Sequence, residues 1–213
     1  MATYIIVTLI AYLLGSISFS VIISKKMAGF DVREKGSNNA GATNVLRTVG
    51  KKAAAITLIC DILKGVITVI LALGIGTISN VNTALLCQIA AIEVAIGHTY
   101  PIFFGFKGGK GVATSLGIIL IVNWKIGLIC LIFALALMAI TRMVSLGSVS
   151  AAILFAILTI FIKDSYIVEG RGYVVFGILL AGLVLFNHRK NISRIAKGEE
   201  NKLSFKKNKE ENK

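Results

Sequence analysis

Charge is missing from this chain in long stretches, and that absence constrains its fold more than any motif does. Seven apolar runs can be placed, at residues 3–24, 53–78, 81–104, 112–122, 125–140, 146–162 and 173–187. A helix needs roughly 20 residues to cross a bilayer core, because each residue rises only ~1.5 Å. The first three runs meet that length. The fourth would rise only ~17 Å. It would extend back through the glycines before it, thin the bilayer, or sit as a partial span among its neighbours. Soluble domains hold roughly 45–50% apolar residues, and 56% of this chain is hydrophobic. The expected fold is all-α: a polytopic integral membrane helical bundle of seven transmembrane helices, the fourth of them short.

The charges that remain are mostly positive. There are 23 Lys and Arg against 10 Asp and Glu, a net charge of +13. In a soluble protein that balance would suggest nucleic acid. Here the cations avoid the apolar runs and gather at 25–52 and 189–213, which suggests topology first, then an anionic lipid surface or substrate. The lipid bilayer is an expected partner, and nucleic acid is not. Fusing 112–140 into one span across Asn123, Trp124 and Lys125 would give six spans and put the basic tail outside. Seven spans place the 25–52 loop, the 105–111 loop, Arg142 and the tail together. By the positive-inside rule that side is cytoplasmic, with the N-terminus outside and the C-terminus in the cytoplasm. The first run has no basic flank before it and no evident cleavage site after it, so it is expected to be retained as a span. Residues 1–203 form one membrane domain, and 204–213, rich in Lys, Glu and Asn, form a disordered cytoplasmic tail. Cys60, Cys87 and Cys130 stand alone in apolar runs and suit packing.

Three polar segments have a composition suited to chemistry. The first runs Gly36-Ser37-Asn38-Asn39-Ala40-Gly41-Ala42-Thr43-Asn44-Val45-Leu46-Arg47. Its glycines allow a backbone that folds N–H groups around an anion, and Arg47 offers a planar fork for phosphate. A helix starting near Thr43 would place Asn44 and Arg47 on one face. An ordinary polar loop with a helix cap at Thr43 or Asn44 would read the same way. The second segment interleaves Lys107-Gly108-Gly109-Lys110-Gly111 and then opens a helix, as a phosphate cradle would. It is not a nucleotide-binding P-loop, since Gly111 stands where Ser or Thr would hold Mg²⁺. A flexible basic turn is the plainer alternative. The third segment, His188-Arg189-Lys190-Asn191-Ile192-Ser193-Arg194-Ile195, follows the last run. Arg189 and Lys190 fit simple interfacial anchors, and the residue pattern leaves His188 open.

Some ionisable groups lie within spans. Asp61 and Lys64 are three apart and suited to pair, and Glu93 sits inside the third run. The three aspartates, Asp31, Asp61 and Asp164, are far from one another. Clustered carboxylates for Mg²⁺ are therefore not evident, nor is a grouped zinc set. The expected chemistry is metal-free, needs no cofactor, and relies on positioning and charge neutralisation.

Taken together and in order, these segments resemble the acyl-phosphate-dependent glycerol-3-phosphate acyltransferases of bacterial membranes over nearly the whole chain. That family's first motif matches Gly36 through Asn44 and then Arg47, with Asn38 and Ala40 at positions where glycine and proline are usual. Asp61-x-x-Lys64-Gly65 also fits. The second motif is intact from Gly97-His98 to Gly108-Gly109-Lys110-Gly111-Val112-Ala113-Thr114. The third fits as His188, Asn191 and Arg194, then Gly198 and Glu200, with Glu199 in place of a usual threonine. The resemblance implies transfer of a fatty acyl group from acyl phosphate to the 1-hydroxyl of glycerol 3-phosphate at the cytoplasmic side of the bacterial inner membrane. It implies catalytic roles for Ser37, Arg47, His188 and Asn191. It implies substrate contacts at Asn39, Gly41, Thr43, Asn44, Lys107, Gly108, Gly109, Lys110, Gly111 and Ser145, and a structural role for Glu200. The alternative from another class is a small membrane transporter for anions or phosphate esters. A transporter would place its polar site near mid-membrane, often between repeated halves, and no repeat is apparent.

Overall fold

The computed structural model describes residues 1–162, 167 and 170–203. The expected tail, 204–213, and Asp164 lie outside them. Every regular element among the described residues is helical. In order they are α1 (Ala2–Gly15), α2 (Phe19–Ala28), α3 (Ala42–Thr48), α4 (Lys51–Ile78), α5 (Thr83–Thr99), α6 (Val112–Val122), α7 (Trp124–Thr141), α8 (Val144–Phe161), α9 (Gly170–Asn187) and α10 (Arg189–Ala196), with short 3₁₀ turns at Val32–Glu34 and Ile102–Phe104. Each apolar run is helical, and large side chains such as Ile5, Leu9, Ile132, Leu135 and Ile178 cover the outside of the bundle. Apolar surface on that scale suits lipid, not water.

The first run makes one candidate span, Ala2–Ala28, but its helix is interrupted part-way along. The chain leaves helical geometry between Gly15 and Phe19, and Ser16 Oγ turns back to donate to the Tyr12 carbonyl at 2.8 Å. A break inside a membrane frees carbonyls that lipid cannot satisfy. Lys64 of α4 supplies the donors: its Nζ lies 3.0 Å from the Gly15 carbonyl and 3.0 Å from that of Ile17. The ammonium also sits at the C-terminal end of α1, where the helix dipole favours a cation. Asp61 balances it at 3.1 Å.

Glycines set the closest helix crossings. Gly15 of α1 and Gly97 of α5 lie against each other's backbones, and a Cβ on either would collide with main-chain atoms. Gly65 of α4 against the Thr114 carbonyl, and Gly117 of α6 against that of Ile62, repeat the device. Small residues let helices approach in lipid, where packing replaces the hydrophobic effect as the driving force. These contacts hold α6 against α4 although it is only 11 residues long. Asn123 ends α6 in extended geometry and caps α7, its Oδ1 accepting the Ile126 N–H at 3.2 Å. The stretch 112–140 is therefore two helices. In the same core, the Phe155 ring meets those of Tyr173 and Phe176 edge-on, at centroid distances of 6.5 and 6.3 Å.

Five helical segments are long and apolar enough to cross a membrane, and α9 with α10 makes a sixth candidate bent by 65°. The short α6 completes the set of apolar runs.

Candidate active site

A cavity of about 780 Å³ opens where α3, α4, α6, α7, α8, α9 and α10 approach one another. Leu116, Ile119, Leu131, Leu135, Phe155 and Leu180 line its apolar part, and Ser37, Arg47, Lys110, His188, Asn191 and Arg194 line its polar mouth. Asn39, Gly41, Thr43, Asn44, Gly111, Ser145 and Glu200 border it as well. The three polar segments of the sequence therefore meet at one end of the bundle.

The first loop is organised around Asn44. Its amide donates to the carbonyls of Val32, Lys35 and Asn39 at 2.8, 3.0 and 3.1 Å, and its Oδ1 accepts the Ser37 N–H at 2.9 Å. Those bonds use the donors that a substrate would need. Asn44 shapes the loop, and the loop presents Ser37, whose hydroxyl has no protein partner among the described residues. Gly36 beside it has φ +64°, the left-handed region that favours glycine, and a Cβ there would collide with Asn44. Arg47 on α3 is exposed to the cavity mouth and has no hydrogen-bond or ion-pair partner among the described residues.

The glycine loop differs from the expected cradle. The N–H groups of Gly108 and Gly109 donate to the carbonyls of Thr99 and His98 at 3.0 and 3.1 Å, so they are not free for an anion. Neither residue lines the cavity. Both are glycine because His98, Thr99 and Pro101 leave no room for a Cβ. Lys107 also faces away, onto a shallow outer pocket with Asp31, Arg33, Glu34 and Phe104. What remains for an anion is Lys110 and the start of α6, where Gly111 at φ +82° is the N-cap and no side chain caps the helix. An uncapped helix N-terminus offers free N–H groups and a positive dipole end. Burial pushes the Lys110 pKa down to about 8; Glu200 opposes this, and Arg194 and Arg47 add to it.

Around Lys110 the third segment builds a network. Lys110 Nζ donates to Asn191 Oδ1 at 2.5 Å, and Asn191 Nδ2 donates to Glu200 Oε1 at 2.7 Å. Ser145 Oγ donates to the same carboxylate oxygen at 2.9 Å, and Arg194 Nε reaches Glu200 Oε2 at 2.9 Å. Ser145 thus spends its hydrogen on Glu200 and not on a phosphate. The hydrogen bonds from Arg194, Asn191 and Ser145 outweigh burial and hold the Glu200 pKa below the usual carboxylate value. His188 stands at the bend between α9 and α10, buried, with Nδ1 2.8 Å from the Val184 carbonyl. A carbonyl only accepts, so Nδ1 carries the hydrogen and Nε2 keeps its lone pair. Burial, reinforced by the charge of Lys110, pushes the His188 pKa down to about 4. The ring is neutral at physiological pH.

Two arginines do more than their sequence context suggested. Arg194 follows Asn191 by three residues on α10, the spacing that puts both on one face. Arg33 bridges the first two segments: it grips Asp31 at 3.0 and 2.8 Å, and its Nη1 donates to the Phe104 and Lys107 carbonyls at 2.6 and 3.0 Å. Bonding to Arg33 lowers the Asp31 pKa to about 2. No cluster of three or more His, Cys, Asp or Glu side chains suited to a metal occurs among the described residues.

Comparison with known proteins gives a consistent picture. Residues 5–198 match the family model for glycerol-3-phosphate acyltransferase. The chain is 44% identical over 205 residues to a glycerol-3-phosphate acyltransferase of Clostridioides difficile (strain 630), covering 96% of this chain and 98% of that one. It is 41% identical over 202 residues to one from Thermoanaerobacter sp. (strain X514), covering 95% and 96%. Among solved structures it resembles an integral membrane glycerol 3-phosphate acyltransferase in its glycerol 3-phosphate form, with TM-score 0.81, 36% identity and coverage of 94% and 96%. The lysophosphatidic acid form of that enzyme gives TM-score 0.80, 35% identity and coverage of 94% and 95%. A helical membrane bundle with a cation-rich mouth on an apolar cavity, matched along nearly its whole length by these enzymes, belongs to the glycerol-3-phosphate acyltransferase family.

Proposed function

We propose that this acyltransferase takes its acyl group from acyl phosphate and passes it to the 1-hydroxyl of glycerol 3-phosphate. The products are 1-acylglycerol 3-phosphate and phosphate, and neither metal nor cofactor takes part. The observation that carries this reading is the surplus of cation at the mouth of an apolar cavity. Arg47, Lys110 and Arg194 meet there, and Glu200 at the same mouth pairs with Arg194 alone of the three. Two substrates that each bear phosphate would supply the missing negative charge, and the acyl chain would lie along Leu116, Ile119, Leu131 and Leu135. The related solved enzyme has forms with glycerol 3-phosphate and with lysophosphatidic acid, an acceptor and a product of the same class.

In this reading Lys110 and the α6 N-terminus hold the phosphate of glycerol 3-phosphate. Ser37 and Arg47 hold the phosphate of the donor. His188 Nε2 accepts a hydrogen bond from the 1-hydroxyl and aims its oxygen at the acyl carbon. With a pKa of about 4, His188 is a weak proton sink, so the proton ends on a phosphate oxygen. The C–O bond to glycerol forms, the acyl–phosphate bond breaks, and Arg47 stabilises the departing phosphate. Asn191 keeps Lys110 in place. Acyl phosphate is already activated, so no ATP is consumed.

The loops that carry the site are the basic ones, and the positive-inside rule supports a site on the cytoplasmic side, with seven spans and the N-terminus outside. The test is purified protein with acyl phosphate and labelled glycerol 3-phosphate, scored for lysophosphatidate with and without chelator. Acyl-CoA in place of acyl phosphate should give none. Product only from acyl-CoA, or only with added metal, would overturn the reading.

A further inference from the structure

Asp61, Lys64 and His98 are ionisable side chains inside the bundle, and no step above uses them. They are 1%, 6% and 6% exposed. Lys64 and Asp61 suffice as a neutral pair that closes the break in the first span. His98 is additional. Its Nδ1 lies 3.5 Å from Asp61 Oδ1, the oxygen that Lys64 Nζ meets at 3.1 Å, and Nδ1 makes no hydrogen bond among the described residues. The other edge of the ring lies against Gly109, where an added Cβ would collide with Nε2 and Cε1. The His98 carbonyl accepts the Gly109 N–H at 3.1 Å, and the next carbonyl, of Thr99, accepts that of Gly108 at 3.0 Å. Both Asp61 and His98 reach the cavity wall. The chain of contacts therefore runs from the Gly15 and Ile17 carbonyls through Lys64, Asp61 and the His98 imidazole. It ends on the backbone one residue before Lys110.

We infer that Asp61 and His98 are positioning residues for glycerol 3-phosphate, setting the height of the glycine loop so that Lys110 and the α6 N-terminus converge on its phosphate. The imidazole is the shelf, and the Asp61 carboxylate keeps the ring turned with Nδ1 inward and Nε2 towards Gly109. A phosphate seat built from an ammonium and helix N–H groups needs those donors to converge, and in reacting complexes a misplacement of about 1 Å can cost on the order of 10²-fold in rate. The acyl donor, held at Ser37 and Arg47, does not depend on this shelf. The inference rests on Lys110 and α6 being the seat of glycerol 3-phosphate.

Calorimetric binding of glycerol 3-phosphate alone, to protein in detergent, tests it independently of the donor. Asp61→Asn is expected to raise Kd tenfold or more, while the KM for acyl phosphate moves less than about threefold. Should Asp61→Asn fail to fold, His98→Asn carries the same expectation, because it leaves the Asp61–Lys64 pair whole. Gly109→Ala should weaken binding strongly in the wild-type background. It should do so less in His98→Asn, where the colliding ring is gone and the Ala40 carbonyl is the contact that remains, a non-additivity that general destabilisation would not produce. Unchanged Kd in both Asp61→Asn and His98→Asn, or strictly additive costs with Gly109→Ala, would overturn the inference while leaving the site assignment standing. Glycerol 3-phosphate that binds wild type and Lys110→Ala equally would overturn the seat itself, and the inference with it.

Discussion

Two clusters of charge among the described residues, one inside the bundle and one at the cavity mouth, are built in opposite ways. The inner cluster, Asp61 with Lys64 and His98, is buried and closed: Lys64 is matched by a carboxylate and two carbonyls. The mouth cluster is open. Glu200 takes bonds from Ser145, Asn191 and Arg194, yet among the described residues Arg47 has no partner and Lys110 meets only an amide oxygen. A charge satisfied by its own chain is part of the fold. A charge left unsatisfied beside a cavity is waiting for a ligand. Lysine and arginine content alone does not separate these cases, and partner geometry does.

That distinction breaks if removing Lys64, the fully matched cation of the inner cluster, harms catalysis more than folding. Lys64→Met leaves Asp61 buried without its cation and frees two carbonyls in the membrane. The expected cost is about 3–5 kcal/mol, a fall in thermal midpoint on the order of 10 °C for a chain of this size. A thermal midpoint unchanged in detergent would show that the inner cluster is not structural. Arg47→Ala should do the reverse. It strands no partner, so the melting temperature should hold, while kcat/KM falls roughly 10²–10³-fold with the loss of a transition-state donor. Folded Arg47→Ala protein with near-normal turnover would remove Arg47 from the chemistry.

The two clusters were not equally legible in the sequence. Hydropathy is local, so the seven apolar runs marked the helices well. The break after Gly15 was not visible, because its compensating donor, Lys64, lies 49 residues on. The same holds for Arg33, which looks like a surface charge until the Phe104 carbonyl, 71 residues away, accepts its hydrogen bond. At the mouth, the residue types of the first two segments pointed to phosphate and the family resemblance added His188 and Asn191; Ser37, Arg47, Lys110, His188 and Asn191 border one cavity. The glycines were misleading. Gly108 and Gly109 read as a phosphate cradle, but they are small because His98 and its neighbours lie against them. A glycine that admits a ligand and a glycine that admits a neighbouring chain look identical in sequence.

The mouth can also be probed by pH. Burial brings the Lys110 pKa down to about 8, so the ammonium is present below that pH and lost above it. Glycerol 3-phosphate is already a dianion there, since such phosphates lose their second proton near pH 6. Its KM should therefore climb above about pH 8, by up to tenfold per unit, while the KM for acyl phosphate rises less. A profile flat to pH 9.5 would mean that Lys110 does not carry the acceptor's phosphate.

The smallest effect separates the network's frame from its contacts with substrate. Ser145 borders the cavity, but its hydroxyl hydrogen lies on Glu200 Oε1 at 2.9 Å, which already accepts from Asn191 at 2.7 Å. Ser145→Ala removes one of two donors to a carboxylate oxygen, and Arg194 still holds the other oxygen at 2.9 Å. The expected loss is about 1 kcal/mol of stability and only a few-fold in turnover, with the KM for both phosphates nearly unchanged. Were Ser145 a direct phosphate ligand, one KM would rise tenfold or more at constant stability. Steady-state kinetics of this one variant therefore decide whether Ser145 belongs with Glu200, as part of the frame, or with Arg47, as part of the open mouth.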